Sequence, residues 1–165
     1  MKSYGRIYLI GMPGSGKSHF GRILEEELIC PLIDLDKEIE EAEERTISDI
    51  FEQEGEEYFR QAEARMLRII TESQEEVIIS TGGGTPCYHD GLEYMNAHGT
   101  TVYLEAEESV LIKRLAPKDH RPLMVGDTEK RVKELLNQRL PVYQKAKITL
   151  SHRDPKRLAQ ELENS

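Results

Sequence analysis

The sequence predicts an α/β fold built on a mostly parallel sheet. Short apolar runs alternate along the chain with segments of helical periodicity, the pattern of strand–helix–strand units. The first apolar run, Ile7-Tyr8-Leu9-Ile10, passes through a glycine-rich turn directly into a helical pattern. The candidate strands are Arg6–Ile10, Leu32–Ile33, Val77–Ser80, Thr101–Leu104 and Ile148–Leu150.

Helices follow from apolar spacing and end signals. Phe20, Ile23, Leu24 and Leu28 fall on one stripe, and Phe59, Ala62, Met66, Ile69 and Ile70 on a second. Between them Thr46 with Asp49 resembles a capping box, and Gly55 allows a break before the second long helix. Gly91 to His98 reads as a short helix stopped by Gly99. The segment 116–127 lacks clear periodicity and holds Pro117, Pro122 and Gly126, so it is expected to be a long loop and a mobile lid. Asp154-Pro155 supplies an N-cap and a first-turn proline for a C-terminal helix.

With 165 residues, no repeat and no linker, the chain is expected to be one domain, 1–165. No apolar run approaches the roughly 20 residues that span a bilayer, and no signal peptide is visible. Two cysteines far apart, Cys30 and Cys87, fit a reduced cytoplasmic protein, the first as a small buried residue and the second as a loop thiol. The net charge of −9 argues against a nucleic-acid substrate, while a small anion held by a few converging arginines stays open. Much of the acidity lies between Asp36 and Glu57 and reads as a solvated helical face. The five histidines show no metal-ligand spacing.

Gly11-Met12-Pro13-Gly14-Ser15-Gly16-Lys17-Ser18 matches G-x-x-x-x-G-K-[ST] in its proper setting between strand and helix. Backbone N–H groups of such a loop, with the helix N-terminus, cradle phosphate. Lys17 would reach the β/γ-phosphates and the Ser18 hydroxyl would ligate Mg²⁺. A nucleoside triphosphate is therefore bound, but the motif does not name the acceptor.

Further groups fall at the carboxyl ends of strands, where α/β folds place ligands. In Asp34-Leu35-Asp36, one carboxylate would accept a hydrogen bond from magnesium-bound water and the other would orient an acceptor hydroxyl. Thr81-Gly82-Gly83-Gly84 allows close approach of a ligand to backbone. Arg60, Arg121 and Arg139 offer planar forks for carboxylate or phosphate. Arg114 and Arg153 are candidates for the nucleotide side, and His19 is read as a packing or polar contact there rather than a base.

Taken in order, these residues resemble the shikimate kinases, small P-loop kinases, over nearly the whole chain from Gly11 to Pro155. The carrying motifs are the glycine-rich loop, Asp34-x-Asp36, Gly55-Glu56 with Phe59-Arg60, Thr81–Gly84, Arg121-Pro122-Leu123, and Arg139 ahead of Pro141 and Tyr143. The resemblance implies a three-layer α/β/α P-loop NTPase fold with a five-stranded parallel sheet of order 2-3-1-4-5. It implies phosphorylation of the 3-hydroxyl of shikimate by ATP with Mg²⁺ in a monomer, to which the cysteine, charge and apolar-run readings add a cytoplasmic location with neither nucleic acid nor membrane as partner.

By that resemblance Lys17, Asp36 and Arg121 are catalytic. Gly14, Ser15, Gly16, Lys17, Ser18, His19, Arg114, Arg121 and Arg153 would bind ATP. Ser18 would hold Mg²⁺ directly and Asp34 through water. Asp36, Arg60, Gly82, Gly83, Gly84 and Arg139 would bind shikimate, with 34–62 as the substrate-binding region. The chain departs from the family pattern at His19, at Met124 and in its short 116–127 lid, none of which removes a charge the chemistry needs. A gluconate-type or nucleoside monophosphate kinase, and a non-catalytic nucleotide-binding module, are the alternatives. Arg60, Gly82–Gly84 and Arg139 together favour the shikimate reading over the former, and the presence of Asp36 and Arg121 speaks against the latter.

Overall fold

The computed structural model describes residues 3–116, 123–151 and 154–163, the side chains of 123–127 excepted. Its strands are β1 (Arg6–Ile10), β2 (Leu32–Asp34), β3 (Val77–Ser80), β4 (Thr100–Leu104) and β5 (Ile148–Leu150). All pairings are parallel, in the order β2-β3-β1-β4-β5. The helices are α1 (Lys17–Leu28), α2 (Leu35–Glu43), α3 (Ile47–Glu54), α4 (Glu56–Ser73), α5 (Gly91–His98), α6 (Glu108–Leu115), α7 (Leu123–Tyr143) and α8 (Pro155–Glu163).

The two-residue period of a strand divides the core into two layers. On β1, Ile7 and Leu9 pack with Phe20, Leu24 and Leu28 of α1 and Leu158 of α8. Tyr8 and Ile10 point the other way, into a cluster with Ile39 of α2, Leu67 of α4, Met95 of α5 and Tyr143 of α7. All four strand residues are fully buried. Burial on both faces is why parallel strands read as unbroken apolar runs. The sheet sits between two helical layers, as the resemblance implies.

The end signals work as read. Thr46 Oγ1 accepts from the Asp49 amide at 3.1 Å, and Asp154 Oδ1 accepts from the Lys156 and Arg157 amides at 3.1 and 3.2 Å. Cys30 is buried, and Cys87 is half-buried on a 3₁₀ turn, Thr85–Cys87, after β3.

Two expectations need correction. The expected loop ends early, because α7 starts at Leu123 and includes Gly126. A glycine costs about 1 kcal/mol inside a helix, too little to stop one 21 residues long. On α4, Phe59, Ala62 and Ile70 are buried and Met66 packs against the core as expected, but Ile69 is not buried. Ile69 is 51% exposed, while the inward line runs Phe59, Glu63, Leu67, Ile70. The helix thus turns the Glu63 carboxylate toward the interior and leaves Ile69 outside.

Candidate active site

The sequence order of the strands reverses on either side of β1, and such a switch point opens a crevice at the carboxyl end of the sheet. The glycine-rich loop, Asp34 with Asp36, and Gly82–Gly84 leave β1, β2 and β3 at that end. Register brings them together: Ser80 pairs with Leu9 on one side and Asp34 on the other.

Gly16, the N-cap of α1, has φ 88°, a conformation that an L-residue with a side chain resists. The turn folds the loop back so that Lys17 Nζ donates to the carbonyls of Gly11 and Met12, at 2.8 and 2.9 Å. Lys17 is only 8% exposed, and burial pushes its ammonium down to about 8. Asp36 and Asp34 oppose that shift, while Arg139 adds to it. The lysine therefore feels both carboxylates and an arginine from a distant helix. Buried Ser15 Oγ has no hydrogen-bond partner in the loop.

Ser18 Oγ donates to Asp34 Oδ2 at 3.3 Å, and Asp34 Oδ1 caps α2 by accepting from the Lys37 amide at 3.3 Å. Asp34 is thus both a cap and a neighbour of the P-loop serine. Asp36 is no surface acid. It is half-buried, its Oδ1 lacks a partner, and desolvation, then the Asp34 charge, raises its pKa against the pull of Lys17 and Arg60.

Arg60 enters from the first turns of α4 and is 6% exposed. Its Nη1 bonds Glu63 Oε1 at 3.1 Å, and Nη2 lies 3.5 Å from Glu56 Oε2. Its guanidinium lies flat on Gly84: a Cβ there would sit 2.6 Å from Nη1 and 2.8 Å from Cζ. Arg139, from α7, reaches Gly83 with one nitrogen: a Cβ there would stand 2.6 Å from its Nη1 and 2.6 Å from Pro13 Cδ. A side chain at Gly84 would displace the Arg60 guanidinium, one at Gly83 would meet the Pro13 ring as well as Arg139, and Gly82 has slightly more room, the nearest neighbour of a Cβ there being Asp36 Oδ1 at 3.1 Å. Tyr143 fixes the same run by donating its hydroxyl to the Gly83 carbonyl.

Glu63, 2% exposed, has no place in the sequence reading. Thr85 Oγ1 donates to its Oε2 at 2.8 Å and accepts from the Gly82 amide at 2.9 Å. Desolvation raises the Glu63 pKa, and the adjacent Arg60 charge opposes it. The signal was its place three residues after Arg60, on the helix face turned inward. The Gly82 amide is consequently bonded within the protein.

Three openings surround these groups. One of about 330 Å³ holds Lys17, Ser18, Asp34, Asp36 and Gly82–Gly83. It shares Pro13 with a cavity of about 600 Å³ faced by Arg60, Tyr88 and Arg139. It shares Gly14, Gly16 and His19 with one of about 470 Å³ that reaches Arg114 and Pro155. Arg114 Nη1 donates to the Gly14 carbonyl at 2.9 Å, and His19 is exposed between the two openings. Arg121 and Arg153 lie outside the described residues. So does the stretch 117–122 of the expected lid.

A phosphate-cradling loop at a switch point, joined to a pocket lined by arginine and carboxylate, defines a P-loop small-molecule kinase. A family model described as shikimate kinase matches residues 13–164. A shikimate kinase of Phocaeicola vulgatus is 43% identical over 147 residues, 86% of this chain and 83% of that one. The crystal structure of shikimate kinase from Bacteroides thetaiotaomicron aligns with a TM-score of 0.85 at 35% identity, covering 96% of each chain. That of Acinetobacter baumannii shikimate kinase in complex with shikimate also gives 0.85, at 34% identity over 97% of this chain and 91% of the other. The chain belongs to the shikimate kinase family. Among the described residues, no helix is long and apolar enough to cross a membrane.

Proposed function

We propose that this chain transfers the γ-phosphate of ATP to the 3-hydroxyl of shikimate, giving shikimate 3-phosphate and ADP. The observation that carries it is the pair of guanidiniums packed on successive glycines, Arg60 on Gly84 and Arg139 on Gly83, facing one cavity. Such a pair suits a single carboxylate, and planar forks hold it in register as a point charge does not. Asp36 lies at the near end of the same run, its Oδ1 3.1 Å from where a Cβ of Gly82 would be. It accepts hydrogen bonds from the ring hydroxyls and takes the proton of the attacking one.

The donor side is built from the loop Gly14–Ser18, with Lys17 against the transferring phosphoryl group. Nucleotide binding draws the Lys17 ammonium off the Gly11 and Met12 carbonyls. Arg114 and Arg153 contact the purine side, as does His19. Ser18 would hold Mg²⁺ directly and Asp34, its hydrogen-bond partner, through water, both being the hard oxygen donors that this ion takes. When bound, Mg²⁺ neutralises charge on the phosphates. The protein's own part is positioning and electrostatics, since phosphoryl transfer asks little covalent chemistry of it. The stretch ahead of α7, which carries Arg121, closes as a lid over the region 34–62, brings that arginine to the transferring group and excludes water.

The chain acts as a single-domain monomer in the cytoplasm, where its free Cys30 and Cys87 stay reduced. With a net charge of −9 it has no use for nucleic acid or an anionic membrane. A coupled assay of ADP release with ATP and Mg²⁺ tests the reading. Shikimate is expected to support turnover where quinate and gluconate do not. Turnover with gluconate alone overturns it.

A further inference from the structure

We propose that Tyr88 is a positioning residue for the acceptor site, its ring holding the Arg60 guanidinium in the plane that meets the substrate carboxylate. This rests on the function proposed above. Arg60 is nearly buried yet poorly tethered by hydrogen bonds. Its Nε has no partner, its Nη2 contact to Glu56 is long at 3.5 Å, and only Nη1 to Glu63 is short. One short bond leaves the plane of a guanidinium free to pivot. Aromatic faces complete the restraint, with Cζ 6.0 Å from the Phe51 centroid, 5.2 Å from Phe59 and 4.2 Å from Tyr88. The Tyr88 ring is the nearest of the three and lines the same cavity as Arg60 and Arg139. A π-face attracts the cation without using an N–H donor, so the donors not held by Glu63 and Glu56 remain for an anion.

The backbone around Tyr88 is built to hold this pose. Tyr88 is extended, with φ −123° and ψ 148°, and the next two residues are left-handed, His89 at φ 49° and Asp90 at φ 57°. His and Asp tolerate that region better than most side chains, and contacts from outside the turn hold them there. Those contacts come from the helix that carries Arg60. His89 Nε2 lies 3.0 Å from Glu57 Oε1, and Arg68 donates to the His89 carbonyl at 3.0 Å. Tyr88 and Arg60 are therefore registered to one another through α4 on both sides of the contact.

The test is steady-state kinetics of Tyr88→Ala, Tyr88→Leu and Tyr88→Phe, with thermal unfolding of each. Leucine keeps apolar bulk without a π-face, and phenylalanine keeps the face without the hydroxyl. The alanine and leucine variants are expected to raise KM for shikimate roughly tenfold, with KM for ATP and kcat within about twofold of the parent. Phenylalanine should restore KM for shikimate. If Tyr88→Ala unfolds, Tyr88→Leu carries the comparison. An unchanged KM in Tyr88→Leu overturns the inference, as does an equal loss toward ATP and shikimate. Failure of the parent protein to phosphorylate shikimate overturns the function proposal instead, and is read in the same assay.

Discussion

The donor and acceptor halves of this site are built by opposite means. The P-loop is eight consecutive residues whose shape comes from glycine backbone and the start of α1. Its one buried charge, Lys17, is satisfied by the loop's own carbonyls. The acceptor half draws on α2, α4, the turn after β3, and α7, and its charges are only partly satisfied, with Asp36 Oδ1, Arg60 Nε and Arg139 Nη1 left without a hydrogen-bond partner. Arg60 leans on Glu63, Glu63 on Thr85, and Thr85 on the Gly82 amide. A local device tolerates change around it. A dispersed one fails when any member is lost, because a buried charge without its partner is costly.

Asp36 is where the halves meet, so its loss should do the most harm. Asp36→Asn is expected to lower kcat by at least about a hundredfold, the usual scale for a positioned acid–base group. ATP affinity should change little, since the P-loop does not depend on that carboxylate for its shape. Titration of ATP into the variant checks the second part. A large loss of ATP binding would mean that the halves are not separate.

Glu63 tests the dispersed half directly. Glu63→Ala strands Arg60 in a nearly closed site and should destabilise the fold by about 3–5 kcal/mol in chemical denaturation. Glu63→Gln keeps hydrogen-bonding capacity and should cost less. Both should raise KM for shikimate more than KM for ATP. Equal effects on the two substrates would erase the distinction between the halves.

In the donor half the sensitive quantity is pH. The Lys17 ammonium is pushed down to about 8 by burial, from 10.5 in the unfolded chain. Between those values the unfolded state binds the extra proton, so unfolding free energy from this group rises with pH. Below 8 the burial penalty is fully present, on the order of 3 kcal/mol at most. Lys17→Met should therefore stabilise the nucleotide-free protein at pH 7 and flatten its stability between pH 8 and 10. ATP affinity should fall in the parent above pH 8, as the ammonium is lost. Denaturation series at several pH values, with and without the substitution, check both signs.

The contrast also explains what could be read from the amino-acid order. Contiguous devices were legible: the P-loop, all five strands, the Thr46 and Asp154 caps, and the glycine run. Arg60 and Arg139 were legible as residue types, but their convergence on Gly84 and Gly83 is tertiary. Glu63 is not legible in the apolar stripe of α4, because a carboxylate does not count toward one. The same stripe takes in Ile69, which faces out. A lone tyrosine such as Tyr88 carries no pattern in the sequence, and only the fold lays it on Arg60.

The smallest effect is expected at the far end of the P-loop helix. Ile29 closes α1 in the left-handed region, at φ 52° and ψ 53°, and is 85% exposed. A β-branched residue is strained there, and glycine is the usual occupant of such a cap. Ile29→Gly removes the steric clash and gives up little packing, though it adds freedom to the unfolded chain. A net gain of about 1 kcal/mol is expected, the lower part of the cost of a left-handed L-residue. Thermal unfolding measures it. KM for ATP should not move, because the phosphate end of α1 is fixed by its own loop, three helical turns away. A shift in KM for ATP with this substitution would show that the donor half is less self-contained than its hydrogen bonds indicate.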